Sequence, residues 1–229
     1  MALTLPVAVP MDVAPWRLSG MVYGTLLNHR SALAALGAAV QAAPYQGAPR
    51  APVLYVKPRN TLAADGDPVR LPAGDEAEIG ACLGLVIARP ACRVSAAQAL
   101  EFVAGFLIVN DVSLPHLPYY RPAIRQQARD GFCPLGPRVQ PRATIGDPDA
   151  LTIRVHVDGQ LRQSASTADL VRPVARLLED VTEFMTLAAG DVLAVGAAAP
   201  APRVRAGERV SIEIEGLGRL SNDFVGEDA

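Results

Sequence analysis

The sequence predicts an α+β, strand-rich fold with a few short helices. Three observations carry this reading. Apolar runs are short and bounded by turn formers, as at residues 53–56, 79–89, 106–109 and 151–157, which suits strands. One long segment, residues 174–185, instead repeats its apolar residues at helical spacing. Helical and strand patterns do not alternate regularly, so a βαβ array is not expected.

The elements follow in chain order. Residues 1–25 carry Pro6, Pro10 and Pro15, then Trp16 and an apolar group ending at Leu26 and Leu27, and read as an arm leading into a short strand. An Ala/Leu segment at 31–43 favours helix and is stopped by Pro44. Residues 53–56 form a short β-type run that Lys57-Pro58-Arg59-Asn60-Thr61 ends in a polar turn. Asp65-Gly66-Asp67 is a second turn, and 79–89, almost free of charge, reads as a strand covered on both faces. Ser95 and Gln98 match a capping box for a helix through Val103, closed by Gly105.

Residues 106–109 are a second buried strand that delivers Asn110 and Asp111 at its end, and 115–137 reads as a long functional loop. Residues 151–157 alternate, with Ile153, Val155 and Val157 inward and His156 solvated, ahead of an Asp158-Gly159 hairpin. Pro173 opens a helix whose stripe of Val174, Leu177, Leu178, Val181, Phe184 and Met185 serves the core. Gly190-Asp191 opens a strand to Gly196, and 209–215 alternates as an edge or half-exposed strand. The organisation expected is an N-terminal arm and lid-like helix at 1–50 and one domain at 51–229.

Composition excludes several classes. The 229 residues hold 21 basic side chains against 23 acidic ones, a formal net charge of -2, which lacks the footprint of a phosphate-backbone binder. Nucleic acid is not an expected partner. No apolar run approaches the roughly 18–20 residues of a membrane span, and no secretory pattern opens the chain. Cys82, Cys92 and Cys133 share no metal-type spacing and suit reduced thiols in a cytoplasm. Lys57 is the single lysine among the 21 basic residues.

Glycine-rich phosphate loops and nucleophile elbows are absent. Asp111 after a buried strand is either a rigidly placed ligand or base, or a turn former bonding its own backbone. Glu76 and Glu78 offer the paired carboxylates a hard divalent cation would want, with Asp111 as a third ligand, or read as a solvated charge cluster in an acidic, turn-rich stretch. His116 lies in the long loop, where a site role is one reading among others. Arg121, Arg125, Arg129 and Asp130 crowd that loop with Tyr119, Tyr120 and Phe132. Such a cluster suits bidentate binding of a small polycarboxylate or, equally, a subunit interface.

Three strings then carry a resemblance: Gly105-Phe-Leu-Ile-Val-Asn-Asp-Val-Ser-Leu-Pro115, Tyr120-Arg-Pro-Ala-Ile-Arg125 and Arg129-Asp-Gly-Phe-Cys-Pro-Leu-Gly-Pro137. Together with Leu27-Asn-His-Arg-Ser31, Lys57-Pro-Arg-Asn-Thr61 and Glu183-Phe-Met-Thr-Leu187, they resemble the fumarylacetoacetate hydrolase superfamily over nearly the whole chain. Within it the chain is similar to the N-terminal half, or separate subunit, of bifunctional isomerase/decarboxylases of 4-hydroxyphenylacetate (homoprotocatechuate) degradation.

The resemblance implies a mixed β fold like that family's C-terminal domain. It implies decarboxylation of 5-carboxymethyl-2-oxo-hex-3-ene-1,6-dioate and isomerisation of 2-hydroxyhepta-2,4-diene-1,7-dioate. It implies Lys57 and Asp111 at the catalytic centre, and Arg121, Arg125, Asp130 and Phe132 around a small 2-oxo-acid substrate. It also implies a homodimer or a hetero-oligomer with a paralogous subunit. The implied cofactor is a divalent metal, Mg2+ or Mn2+, for which Asp111 keeps its ligand position.

Departures accompany the match. The superfamily's Glu-x-Glu pair falls on Gly80 and Cys82, its central-loop lysine on Gln127, its lid His and Glu on Ala32 and Ala35, and its Gly-Thr-Pro on Gly196-Ala197-Ala198. One carboxylate is a poor site for Mg2+. Two expectations follow: an enzyme subunit, or a degenerate partner that completes or stabilises a metal-competent paralogue.

Overall fold

A computed structural model describes residues 20–116 and 121–227; the proline-rich arm, Tyr119 and Tyr120 lie outside the described residues. The strands are β1 (Val22–Leu26), β2 (Val53–Lys57), β3 (Leu62–Ala63), β4 (Val69–Leu71), β5 (Ala77–Ile87), β6 (Val103–Ser113) and β7 (Cys133–Pro141). They continue as β8 (Thr152–Val157), β9 (Gln160–Ser166), β10 (Val192–Ala194), β11 (Arg203–Val204), β12 (Arg209–Ile214) and β13 (Gly218–Gly226). The α-helices are α1 (Arg30–Ala35), α2 (Ile124–Gln127) and α3 (Val174–Phe184).

One sheet runs β2-β1-β10-β5-β6-β7-β3 with β11 added to β5, and the other runs β4-β13-β12-β8-β9. The first cannot be flat. Its two end strands, β2 and β3, are separated in the chain only by residues 58–61. Six strand spacings in a flat sheet would put them about 29 Å apart. The connecting backbone spans at most about 17 Å when fully extended. The sheet therefore curls on itself into a near-closed barrel.

Strand periodicity assigns the two faces. Ile79, Ala81, Leu83, Leu85 and Ile87 of β5 point outward into the main core, with Phe106, Ile108 and Val112 of β6, the inner face of the second sheet and α3. Leu83 and Leu85 are fully buried there, each contributing about 1.5–3 kcal/mol by burial. Cys82 and Val86 point the other way, into the curl, where they meet Leu107, Val109, Cys133, Leu135, Val139 and Val192. Asp111 and Ser113 continue the inward series from Leu107 and Val109. An inward position on β6 is apolar deep in the curl and polar at its mouth.

Several local expectations are corrected. The helix expected at 31–43 is α1 followed by a 3-10 turn at Gly37–Gln41, because Gly37 adopts φ +51°. The capping-box helix is a 3-10 turn at Ala99–Phe102. Ser95 Oγ contacts Gln98 Oε1 at 3.2 Å, and Ala88 N–H donates to the Phe102 carbonyl at 2.8 Å, drawing the chain into β6. Gly105 does not close a helix but sits within β6, where an added Cβ would fall 2.1 Å from the Gln140 carbonyl oxygen.

Asn110 and Asp111 likewise lie inside β6, opposite Ala81 and Gly80. The loop expected up to residue 137 gives way to β7 at Cys133. β12 is the half-exposed strand of the two alternatives, since it lies in the middle of its sheet with one face buried. Phe184 ends α3 at 64% exposure, outside the core stripe. His156 is half-buried, with a sheltered Nδ1.

Candidate functional site

A cavity of about 110 Å³ opens at the mouth of the curl, lined by Tyr55, Glu78, Gly80, Asp111, Ser113, His116 and Gln127 and roofed by Leu26, Leu27 and Ala197 to Ala199. Polar groups converge there from β2, at one end of the sheet order, and from β5 and β6, three and four strands away, which the curl makes possible.

Tyr55 reaches the cavity across Gly24, its partner in the β1–β2 ladder. A Cβ at residue 24 would lie 2.0 Å from the ring carbon bearing the hydroxyl, so glycine is required for the ring to lie flat over the strand. The Tyr55 hydroxyl donates to Asp111 Oδ2. Burial, then the Asp111 charge, holds this phenol well above its ordinary range, so Tyr55 is a proton donor and not a phenolate.

Lys57, two residues along the same face of β2, is 2% exposed. Its Nζ donates to the carbonyls of Val112 at 2.8 Å, Gln127 at 3.0 Å and Phe132 at 3.0 Å. Those bonds use the three N–H groups of an ammonium. Asp111 Oδ1 stands 2.6 Å from the same nitrogen but without an aligned N–H of its own. The contact is a charge pair, while the hydrogen bonds go to the carbonyl cage. With its three N–H groups so committed, the amine has none free for a ligand in the cavity.

His116 Nδ1–H donates to the Leu114 carbonyl at 2.9 Å, and its Nε2 stands 3.5 Å from Gln127 Nε2. Glu78 stands at the rim and pairs with Arg203 at 3.2 Å. Among the described residues the lining carries no arginine or lysine.

The structure thus brings Lys57 and Asp111 together and sets the other expected residues elsewhere. Phe132 is fully buried in the main core and presents only its carbonyl, to Lys57. Asp130 is exposed and accepts from Asn60 Nδ2 at 2.7 Å. Arg121 is exposed outside the lining, and Arg125 lines a separate surface cleft with Arg205 and Glu76. Arg129 pairs with Glu227 and stacks 5.9 Å from the Phe132 ring. Tyr55 and Ser113 were not singled out as site residues by sequence reasoning, while Gln127 entered only as the position on which the family's central-loop lysine falls. Period-2 spacing was the available signal for the first two, since Tyr55 shares a strand face with Lys57, and Ser113 with Asp111.

Two buried thiols back the site. Burial and then Asp111 raise the Cys82 thiol, and burial pushes Cys133 up to about 12, against the pull of Lys57. Both are protonated in the fold. Their contribution to stability is therefore full below the unfolded thiol's value near about 8.5 and is lost as pH rises toward the folded one. Cys92 is exposed. At pH 8 a thiol reagent is expected to titrate one cysteine per native chain and three after denaturation; rapid labelling of two or three in the native protein would contradict this burial.

Does the site suit a divalent metal? Positions 80 and 82 offer a glycine and a neutral thiol, and Asp111 already faces the Lys57 ammonium and the Tyr55 hydroxyl. Among the described residues no group of three or more His, Cys, Asp or Glu side chains is placed to hold an ion. These residues do not fit a divalent cation, which needs several oxygen ligands.

The architecture is a curled mixed sheet with a small polar cavity at its mouth. More narrowly, the chain belongs to the fumarylacetoacetate hydrolase family: the profile of the fumarylacetoacetate (FAA) hydrolase C-terminal family matches residues 21–225. It is 40% identical over 211 residues to the 4-hydroxyphenylacetate degradation bifunctional isomerase/decarboxylase of Salmonella dublin, a match covering 92% of this chain and 48% of that protein. The chain spans about half the length of such curated relatives.

Among solved structures it is similar to the 5-carboxymethyl-2-hydroxymuconate delta-isomerase of Mycobacterium smegmatis. That match has a TM-score of 0.75 and 32% identity, over 92% of this chain and 80% of that one. It is also similar to maleylpyruvate hydrolase of Sphingobium sp. SYK-6, solved with manganese (II) and pyruvate, with a TM-score of 0.75 and 26% identity over 90% and 70% of the two chains. A divalent metal therefore occurs in the family. No helix among the described residues is long and apolar enough to cross a membrane.

Proposed function

We propose that the chain is a decarboxylase/isomerase subunit acting on 2-oxo or enol unsaturated di- and tricarboxylic acids of homoprotocatechuate catabolism. The observation that carries this reading is the Tyr55–Asp111 pair facing a small cavity, in a chain matched over 92% of its length to a bifunctional isomerase/decarboxylase. Isomerisation of a 2-hydroxydienoate breaks one enol O–H bond and forms one C–H bond, with no redox change. Asp111 receives the enol proton, and the Tyr55 hydroxyl delivers one to the diene carbon and is reprotonated through Asp111. Decarboxylation breaks one C–C bond, expels carbon dioxide and leaves a dienolate that the same phenol protonates, and the phenol regains its proton from water through Asp111. His116 and Gln127 orient the substrate oxygens.

A second reading is favoured by a specific observation. Among the described residues the cavity lining offers a polycarboxylate neither arginine nor lysine, and positions 80 and 82 lack carboxylates. In that reading the chain is a degenerate subunit that stabilises or completes a metal-competent paralogue in a hetero-oligomer. The test is loss of the conjugated substrate's ultraviolet band with purified protein, with and without Mg2+, alone and after mixing with the paralogue. Turnover by this chain alone, abolished in Asp111→Asn, is the result expected from the first reading. Absence of turnover alone, with activation or stabilisation of the paralogue, replaces it with the second.

A further inference from the structure

The end of β2 and the turn that follows it hold residues 127–132, of which Gln127 lines the cavity. Lys57 holds the carbonyls of Gln127 and Phe132 from inside the curl. Asn60, three residues on and exposed, holds the same segment from outside. Its Nδ2 donates to the Ala128 carbonyl at 3.0 Å and to Asp130 Oδ1 at 2.7 Å, and its own carbonyl accepts from Gly131 N–H at 3.1 Å. Segment 124–132 has little regular structure of its own, a single helical turn at Ile124–Gln127. It is nonetheless the stretch that carries Gln127 to the cavity beside His116.

We infer that residues 57–60 form a two-sided clamp and that Asn60 is a positioning residue. It acts through segment 124–132 to set where Gln127, and with it the Nε2 of His116, stands in the cavity. Pro58 serves this device as much as it ends a strand. With φ near −63° it fixes the turn between the two holding residues, so the inner and outer grips keep a constant separation. The substrate consequence rests on the function proposed above, while the mechanical one does not.

Because Asn60 is exposed, Asn60→Ala is expected to fold. Two measurements test the clamp on the full chain. Hydrogen exchange followed by mass spectrometry is expected to quicken about tenfold in peptides covering residues 121–132, with peptides of β8 and β12 unchanged, because the loss of outer bonds opens that segment locally. Unchanged exchange at 121–132, or loosening spread over both sheets, overturns the clamp.

In the ultraviolet assay, Asn60→Ala is expected to raise KM about five- to tenfold with kcat within about twofold, since Gln127 orients substrate without moving the proton. A loosened segment with unchanged KM overturns the positioning role. If the wild-type chain shows no turnover, the proposed activity fails on its own and the exchange result alone decides the clamp.

Discussion

Lys57→Met is expected to lower the unfolding free energy by about 3–5 kcal/mol, the range for removing one partner of a buried ion pair. The cost has two sources. Asp111 would lose the ammonium that stands 2.6 Å away in the wild type. Three carbonyls, of Val112, Gln127 and Phe132, would lose their common donor. Methionine nearly matches the aliphatic stem, so packing contributes little to the loss. Lys57→Arg is expected to fail as well, because a planar fork cannot aim its donors into a cage arranged around a single nitrogen.

Guanidinium unfolding at pH 7 measures both variants against wild type. The double variant Lys57→Met/Asp111→Asn is expected to recover part of the loss, because no unpaired charge is left behind. A Lys57→Met loss below about 1 kcal/mol would mean that water enters and solvates Asp111, and the cage account would be wrong.

The lone lysine was legible in the sequence as an anomaly, and its position after a short β run placed it at a strand end. Its role was not legible, because the three carbonyls that define it come from residues 55, 70 and 75 positions away. Asp111 was legible for the reason that β6 was: an uninterrupted apolar run ends in polar residues, and the inward alternation of Leu107 and Val109 carries on to Asp111. In the arginine-rich loop, local composition records charge density and not direction. Arg121 and Arg125 share the loop with Gln127 but not its route into the cavity. Curling of the first sheet, on which the whole site depends, became visible only when strand order was set against the four-residue link between β2 and β3.

Restoring the family's carboxylates is expected to expose how far this barrel mouth has closed over the metal position. Gly80 faces Asp111 directly in the β5–β6 ladder. A Cβ there would lie 2.5 Å from the Asp111 carbonyl oxygen and 3.1 Å from its Cβ. The nearest obstacle is backbone in a paired strand, which yields only if β5 and β6 shift. Gly80→Ala is therefore expected to cost about 1–3 kcal/mol as overpacking.

Gly80→Glu is expected to cost more, since a second carboxylate about 5 Å from Asp111 adds roughly 3 kcal/mol of repulsion at an effective dielectric near 20. In Gly80→Glu/Cys82→Glu the added charges can be offset by an ion that binds only the folded chain. Millimolar Mn2+ is therefore expected to raise the thermal midpoint of the double variant in a concentration-dependent way. The wild type, with Lys57 and Tyr55 already on Asp111, is expected to show no such rise. A wild-type midpoint that climbs with Mn2+ would show that Asp111 exchanges its ammonium for a metal, and the lack of fit inferred from Gly80 and Cys82 would have to be abandoned.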